Sequence, residues 1–126
     1  MSVGYKFGSW TILGDENQTI AASAAYEAGN INNEGKVATE LSVVGTYGAG
    51  DVGANIVIRR LLNAGAYETA ASATWVVPIP ALASATRERV VTIPGDVSGC
   101  RIQIDNNGAN SMTNVTVRYR QATLGE

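Results

Sequence analysis

Apolar and polar side chains alternate residue by residue over several short stretches of this chain, most clearly in its last quarter. Cys100, Ile102 and Ile104 alternate with Arg101, Gln103 and Asp105, and further on Val115, Val117 and Tyr119 alternate with Thr116, Arg118 and Arg120. A period of two belongs to a β-strand with one buried and one wet face. Joined by the turn-forming run Asn106 to Thr113, the two stretches read as a β-hairpin. A lone hairpin is marginal in water, so the rest of the chain must supply strands to cover its apolar face.

Those strands are found upstream. From Lys36 to Tyr47, Val37, Thr39, Leu41, Val43 and Tyr47 share one face, with Lys36, Glu40, Ser42 and Thr46 opposite. Asn55 to Asn63 reads as a strand covered on both sides near its start, with Arg59 and Arg60 emerging later. Ser72 to Ile79 places Ala73, Trp75, Val77 and Ile79 in one row, and Pro78 and Pro80 remove backbone donors, so this strand must end there or lie at a sheet edge. Arg87 to Ile93 is a further strand, ending at the turn Pro94-Gly95-Asp96. Tyr5 to Leu13 is either an extended arm or a first strand. Gly14 to Asn17 predicts a turn and Gln18 to Ala22 a short strand. The alanine-rich segment Ile20 to Ala28 is the one stretch with helix propensity, and its state is left open. Gly29 to Gly35 and Gly45 to Gly53 predict loops.

The pattern predicts an all-β chain: one antiparallel β-sandwich over residues 14–126, jelly-roll-like, with seven or eight strands, preceded by residues 1–13 as an arm or first strand. Ile56, Ile58, Trp75, Val77, Val91, Ile102, Ile104, Val115 and Val117 are the expected core.

Composition sharpens this picture. At 126 residues the chain has the size of one domain. Charged residues make up 16%, against the usual quarter or so, and 45% are hydrophobic. So little charge suits a domain that hides part of its surface in an assembly. A formal net charge of −2 gives no basic footprint for nucleic acid. Neither a secretory leader nor an apolar stretch long enough to span a membrane is seen, so no membrane partner is expected. The single Cys100 allows no intrachain disulfide.

Candidate chemistry is sparse. The chain has no histidine, which removes the commonest general base, the usual nucleophile pairs and most transition-metal sites. The acidic residues fall in turns or on wet faces, so no enzyme, metal or cofactor is expected. The loops Asn30 to Glu34 and Asp105 to Asn110 offer oxygen ligands of the kind calcium takes, without a calcium-loop spacing. Gly48 to Gly53 matches GxGxxG by letter, with no helix predicted after it. Trp10, Trp75, Tyr26, Tyr47 and Tyr67 are candidates for a sugar-stacking platform. Arg101, Arg118 and Arg120 are expected to share one sheet face, where they repel unless carboxylates meet them.

The stretch from Ala54 to Gln121 resembles small β-sandwich structural proteins of tailed bacteriophages. The resemblance is carried by the Arg60-Leu-Leu-Asn63 strand end, the Trp75 strand, Arg87-Glu-Arg-Val-Val-Thr-Ile-Pro-Gly95, Arg101-Ile-Gln-Ile-Asp-Asn106 and Asn114-Val-Thr-Val-Arg-Tyr-Arg120. Such proteins include capsid decoration (cement) proteins, often trimers, and small tail and fibre components; the role expected here is decoration, with the protein made in the host cytoplasm, resident on the virion surface, and partnered by itself, with a homotrimer favoured, and by the major capsid protein. A tail or fibre component and a carbohydrate-binding sandwich are the alternatives. Tyr5, Phe7, Trp10, Ile12, Arg101, Arg118 and Arg120 are the candidate interface residues. If residues 1–13 clasp a neighbour, burying three of their large apolar groups removes on the order of 300 Å² from water, worth several kcal/mol at about 25 cal/mol/Å² before ordering costs.

Overall fold

The computed structural model describes residues 4–48, 53–62, 65–80 and 84–125, with side chains described over 6–48, 53–62, 65–80 and 84–123. Among the described residues there are nine strands and no helix, two strands more than the lower sequence expectation and one more than the upper. They are β1 (Gly4–Phe7), β2 (Thr11–Ile20), β3 (Ala25–Asn32), β4 (Ala38–Thr46), β5 (Ala54–Arg60), β6 (Trp75–Ile79), β7 (Thr86–Pro94), β8 (Gly99–Asn106) and β9 (Met112–Gly125).

All pairings are antiparallel and nested: β2 on β9, β3 on β8, β4 on β7 and β5 on β6. That nesting is the jelly-roll topology. The front sheet runs β9, β4, β7, with β1 and β2 following one another along the free side of β9; the back sheet runs β3, β8, β5, β6. Their inner faces meet in a core in which Leu41, Val43, Ile93, Val115 and Val117 from the front oppose Ile56, Ile58, Cys100, Ile102 and Ile104 from the back, nearly all without exposed surface. Every expected core residue lies in or against this cluster; Trp75 and Val77 pack on it while partly exposed.

The expected C-terminal hairpin is not formed. β8 and β9 lie in different sheets: β8 sits between β3 and β5, and β9 between β4 and the β1/β2 edge. Both stretches are central strands, but the residues between them cross the sandwich. For the same reason Arg101 is separated from Arg118 and Arg120, which stand on the opposite outer face of the molecule.

Gly14 to Asn17 is no turn between strands. It is an irregularity inside β2, where the register with β9 shifts between Leu13 and Gln18. Gly14 (φ 79°) and Asn17 (φ 53°) supply the left-handed conformations such a bulge needs. A Cβ on Gly14 would meet the Tyr26 hydroxyl and come within 2.8 Å of the Ala28 carbonyl oxygen. The Asn17 amide donates to Thr116 Oγ1 at 3.0 Å, folding the bulge over β9. The alanine-rich segment resolves into a turn, closed by the Ala24 amide on the Ala21 carbonyl, and then β3. β3 also absorbs Gly29 to Asn32, which had read as loop, because Ile31 is needed in the core at 2% exposure. Gly45 is likewise part of β4, facing Met112 and Val115, where a Cβ would lie 2.6 Å from Met112 Cε. Residues 49–52 of the predicted glycine-rich loop lie outside the described residues.

Two buried asparagines tie the strand connections to the sandwich. Asn33 Nδ2 donates to the Pro94 and Val97 carbonyls, both at 2.9 Å, and Asn33 Oδ1 accepts from Thr39 Oγ1. Asn106 Nδ2 donates toward the carbonyls of Ile20, Ala21 and Asn110 at 2.9–3.2 Å, while its Oδ1 accepts from the Gly108 amide. The two side chains thereby add donors to loop carbonyls, of which Pro94 and Ala21 also accept the backbone amides of Val97 and Ala24.

Candidate functional site: the outer face of the front sheet

The outward positions of the front sheet line up across strands. Glu40 of β4 stands directly opposite Arg120 of β9, and Ile12, Arg118, Ser42 and Val90 form one row from β2 to β7. Arg120 donates through Nε to Glu40 Oε1 at 2.7 Å, and its Nη2 lies 2.6 Å from the same oxygen. The guanidinium also lies over two rings, 4.9 Å from the centroid of Phe7 and 4.5 Å from that of Trp10. β1 brings Phe7 there by pairing it with Ala122, and the Gly8 amide, donating to the Gln121 carbonyl at 3.0 Å, holds the turn that delivers Trp10. The two rings lie against a cation whose charge a carboxylate compensates.

Beside this cluster lie exposed apolar groups: Trp10 at 40%, Ile12 at 37% and Val90 at 46%. Between them, Ser42 Oγ donates to Glu88 Oε2 at 2.6 Å. Arg118 has no ion pair among the described residues. The face is therefore an aromatic and aliphatic surface on which Arg120 has its carboxylate while Arg118 does not, a composition that suits packing against another surface able to meet that one cation.

The back sheet presents a different chemistry. Glu27 accepts Arg59 at 2.9 Å and has Arg101 at 3.6 Å; Arg101 donates through Nε to Asn30 Oδ1 and lies 4.7 Å over the Tyr67 ring. Below them Glu68, almost buried, accepts from the Arg60 backbone amide at 2.8 Å and from its guanidinium at 3.1 Å. The hydrogen bond from the Arg60 side chain, with that from its backbone, holds the Glu68 carboxyl below the usual carboxylate range against the effect of burial. A cleft of about 350 Å³ opens where Asn30, Asn32, Leu61, Tyr67 and Ser98 meet.

Of the residues singled out from the sequence, the structure gathers Phe7, Trp10, Ile12, Arg118 and Arg120 on the front face and places Arg101 on the back; the Tyr5 side chain lies outside the described residues. Residues 4–7 and 11–13 are strands on β9 of their own chain and not a free arm. The five aromatic candidates are not one platform: Trp75 and Tyr26 pack against the core, Tyr47 is buried with its hydroxyl donating to the Ile79 carbonyl, Tyr67 lies under Arg101, and Trp10 alone of the five is an exposed large apolar side chain. Cys100 is buried, and its thiol is pushed up to about 12 by desolvation, so it holds no thiolate near neutral pH. No three His, Cys, Asp or Glu groups stand together as a metal site among the described residues. The Gly48 to Gly53 motif falls largely outside them.

Sequence reasoning missed Glu40, Glu27, Glu88 and Val90. Glu40, Glu88 and Val90 sit in stretches read as strands, and Glu27 in the alanine-rich segment whose state was open; the cross-strand partner of none was readable, because that depends on which strands pair.

No family model matches the chain, and no curated protein matches it. Solved structures do. The PBSX exported protein XepA aligns with a TM-score of 0.55 at 17% identity, over 94% of this chain and 38% of that one. The structure of infectious bursal disease virus, Gx strain, aligns with a TM-score of 0.56 at 8% identity, over 94% of this chain and 32% of the other. CBM4 aligns with a TM-score of 0.49 at 11% identity, over 92% of this chain and 85% of that one. At such identities the similarity is one of fold, and this chain spans only about a third of the first two proteins.

Proposed function

We propose that this chain is a virion structural protein, a capsid decoration protein that acts as a homo-oligomer, a trimer being favoured, and packs through the outer face of its front sheet. The observation that carries the reading is that face itself: Trp10, Ile12 and Val90 exposed around an Arg120–Glu40 pair already sandwiched by two rings. Such a surface gains from the burial of three large apolar side chains, Arg120 enters already paired, and Arg118 is left to meet a carboxylate of the partner. The low overall charge supports an assembled state, and the fold shared with a virus-particle protein supports a shell component.

Sedimentation equilibrium of the full chain, with co-sedimentation on tailed-phage capsids, tests the reading. The wild type is expected to associate and to pellet with capsids; Trp10→Ala is expected to keep its fold and lose both. A monomer with no capsid affinity ends the proposal. A second reading is supported by Trp10 alone, since one exposed indole on a flat sheet is a stacking surface for a sugar ring. Glycan-array binding that Trp10→Ala abolishes, in a chain that ignores capsids, favours that reading instead.

A further inference from the structure

A sheet edge is a row of unpaired backbone donors and acceptors, and proteins blunt such edges with bulges, prolines or shortness. Three sides of this sandwich are blunted. The β1/β2 side has a four-residue strand followed by one with two register shifts. β3 has a shift between Glu27 and Gly29. β6 is five residues long and contains Pro78. β7 differs: it is nine residues long, holds an unbroken register with β4 from Thr86 to Pro94, and has its one proline at the last position.

The side chains along that edge are arranged for a partner. Arg87 and Arg89 point to one side of β7, opposite Gly45 and Val43 of β4, and both are exposed. Among the described residues no hydrogen bond or ion pair reaches either guanidinium. Glu88, between them, points to the other side and accepts from Ser42, so it is turned away from both. Val90 follows Glu88 on that outer side. A second copy of the chain fits poorly. An antiparallel β7 pair about a two-fold axis sets Glu88 against Glu88 or Arg89 against Arg89 in two of its central registers, and no register offers a carboxylate to Arg87 and Arg89 together.

We propose that β7 is a docking edge for an extended acidic segment of another protein, added as a further strand of the front sheet. Two carboxylates two residues apart on the segment meet Arg87 and Arg89. The residue between them faces Glu88 and is uncharged or basic, and an apolar residue meets Val90. This site shares Val90 with the outer face described above but lies at the sheet edge opposite Trp10, with β9 and β4 between, and its pairing through the β7 backbone, Arg87 and Arg89 does not depend on how that face packs.

The probe is a synthetic peptide about nine residues long, the length of β7, blocked at both ends, with Glu at two alternate positions and Thr and Val on the other side. Fluorescence anisotropy against the full chain is expected to show saturable binding, weakened about tenfold or more when Lys replaces both Glu. The R87E/R89E double variant is expected to melt as the wild type does, because neither side chain has a partner to lose, and to reverse the preference toward the Lys peptide. N-methylation of alternate peptide amides is expected to abolish binding, which contact between charges alone would not do. The proposal is overturned by absence of binding at millimolar peptide, by equal binding of both peptides, by an unreversed preference in the variant, or by full binding of the N-methylated peptide. It is equally overturned if hydrogen exchange shows the β7 amides becoming protected as protein concentration rises, which means a second copy occupies the edge.

Discussion

The two outer faces of this sandwich are built from the same alternation and treat charge in opposite ways. On the back, Glu27 is shared by Arg59 and Arg101 in a half-open network, and the amides and ring of Asn30 and Tyr67 complete it. On the front, a single pair, Arg120 with Glu40, lies against the rings of Phe7 and Trp10, and apolar side chains stand around it. The back face is a surface that water completes. The front face carries three exposed large apolar side chains, Trp10, Ile12 and Val90, against Val76 of β6 and Leu62 beyond β5 on the back, and the functional reading rests on that excess together with its paired Arg120.

The strongest way to break the comparison is to remove residues 2–13. That deletes β1 and the first part of β2, strips Phe7 and Trp10 from Arg120, and exposes one side of β9. Leu13, which is buried, goes as well, and loss of a buried leucine side chain alone costs about 2–5 kcal/mol. The truncated chain is expected to lose at least about 3 kcal/mol, read as a lowered denaturation midpoint. Unchanged stability would mean that these residues are an arm after all.

Arg120→Ala removes the ion pair and both ring contacts and is expected to cost about 1–2 kcal/mol. Glu27→Ala on the back face, where the carboxylate is half exposed, is expected to cost about 0.5 kcal/mol and to fade in salt. Urea denaturation of both variants at low and high salt checks the contrast, and equal costs would erase the distinction between the faces.

A smaller effect follows from Glu68. Its carboxyl titrates below the ordinary range in the folded chain, so the stability it lends is present above the unfolded carboxylate pKa and is lost as pH falls through the lowered folded value. Glu68→Gln is expected to flatten the acid side of the stability profile, as measured by thermal melts between pH 2 and 6, a window about the usual carboxylate pKa. The Cys100 thiol changes stability least near neutrality: pushed up to about 12, it is expected to resist alkylation at pH 8 until the chain unfolds.

The alternation of Lys36 to Tyr47, Cys100 to Asp105 and Val115 to Arg120 determined by itself that these stretches are strands, which side of each is wet, and therefore that the fold is all-β. Pro78 meant a strand end or an edge, and the structure takes the edge: β6 runs through it to Ile79 at the side of the back sheet. The pairing was beyond the sequence. A period of two fixes a face without naming a neighbour, so β8 and β9, adjacent in the chain and matched in pattern, were read as partners; in the folded chain they lie in opposite sheets. Gly14 to Asn17 looked like a chain reversal because glycine and asparagine supply the same left-handed backbone to a turn and to a bulge. Gly29 and Gly45 looked like loop because a glycine's local preference says nothing of the Ile31 or Met112 packed around it. The site was split in the same way. Trp10, Ile12 and Arg120 were legible one by one, but their meeting with Glu40 and Phe7 depends on β1 and β4 flanking β9, contacts made across most of the chain length, where local preference carries no information and only burial of the shared core decides.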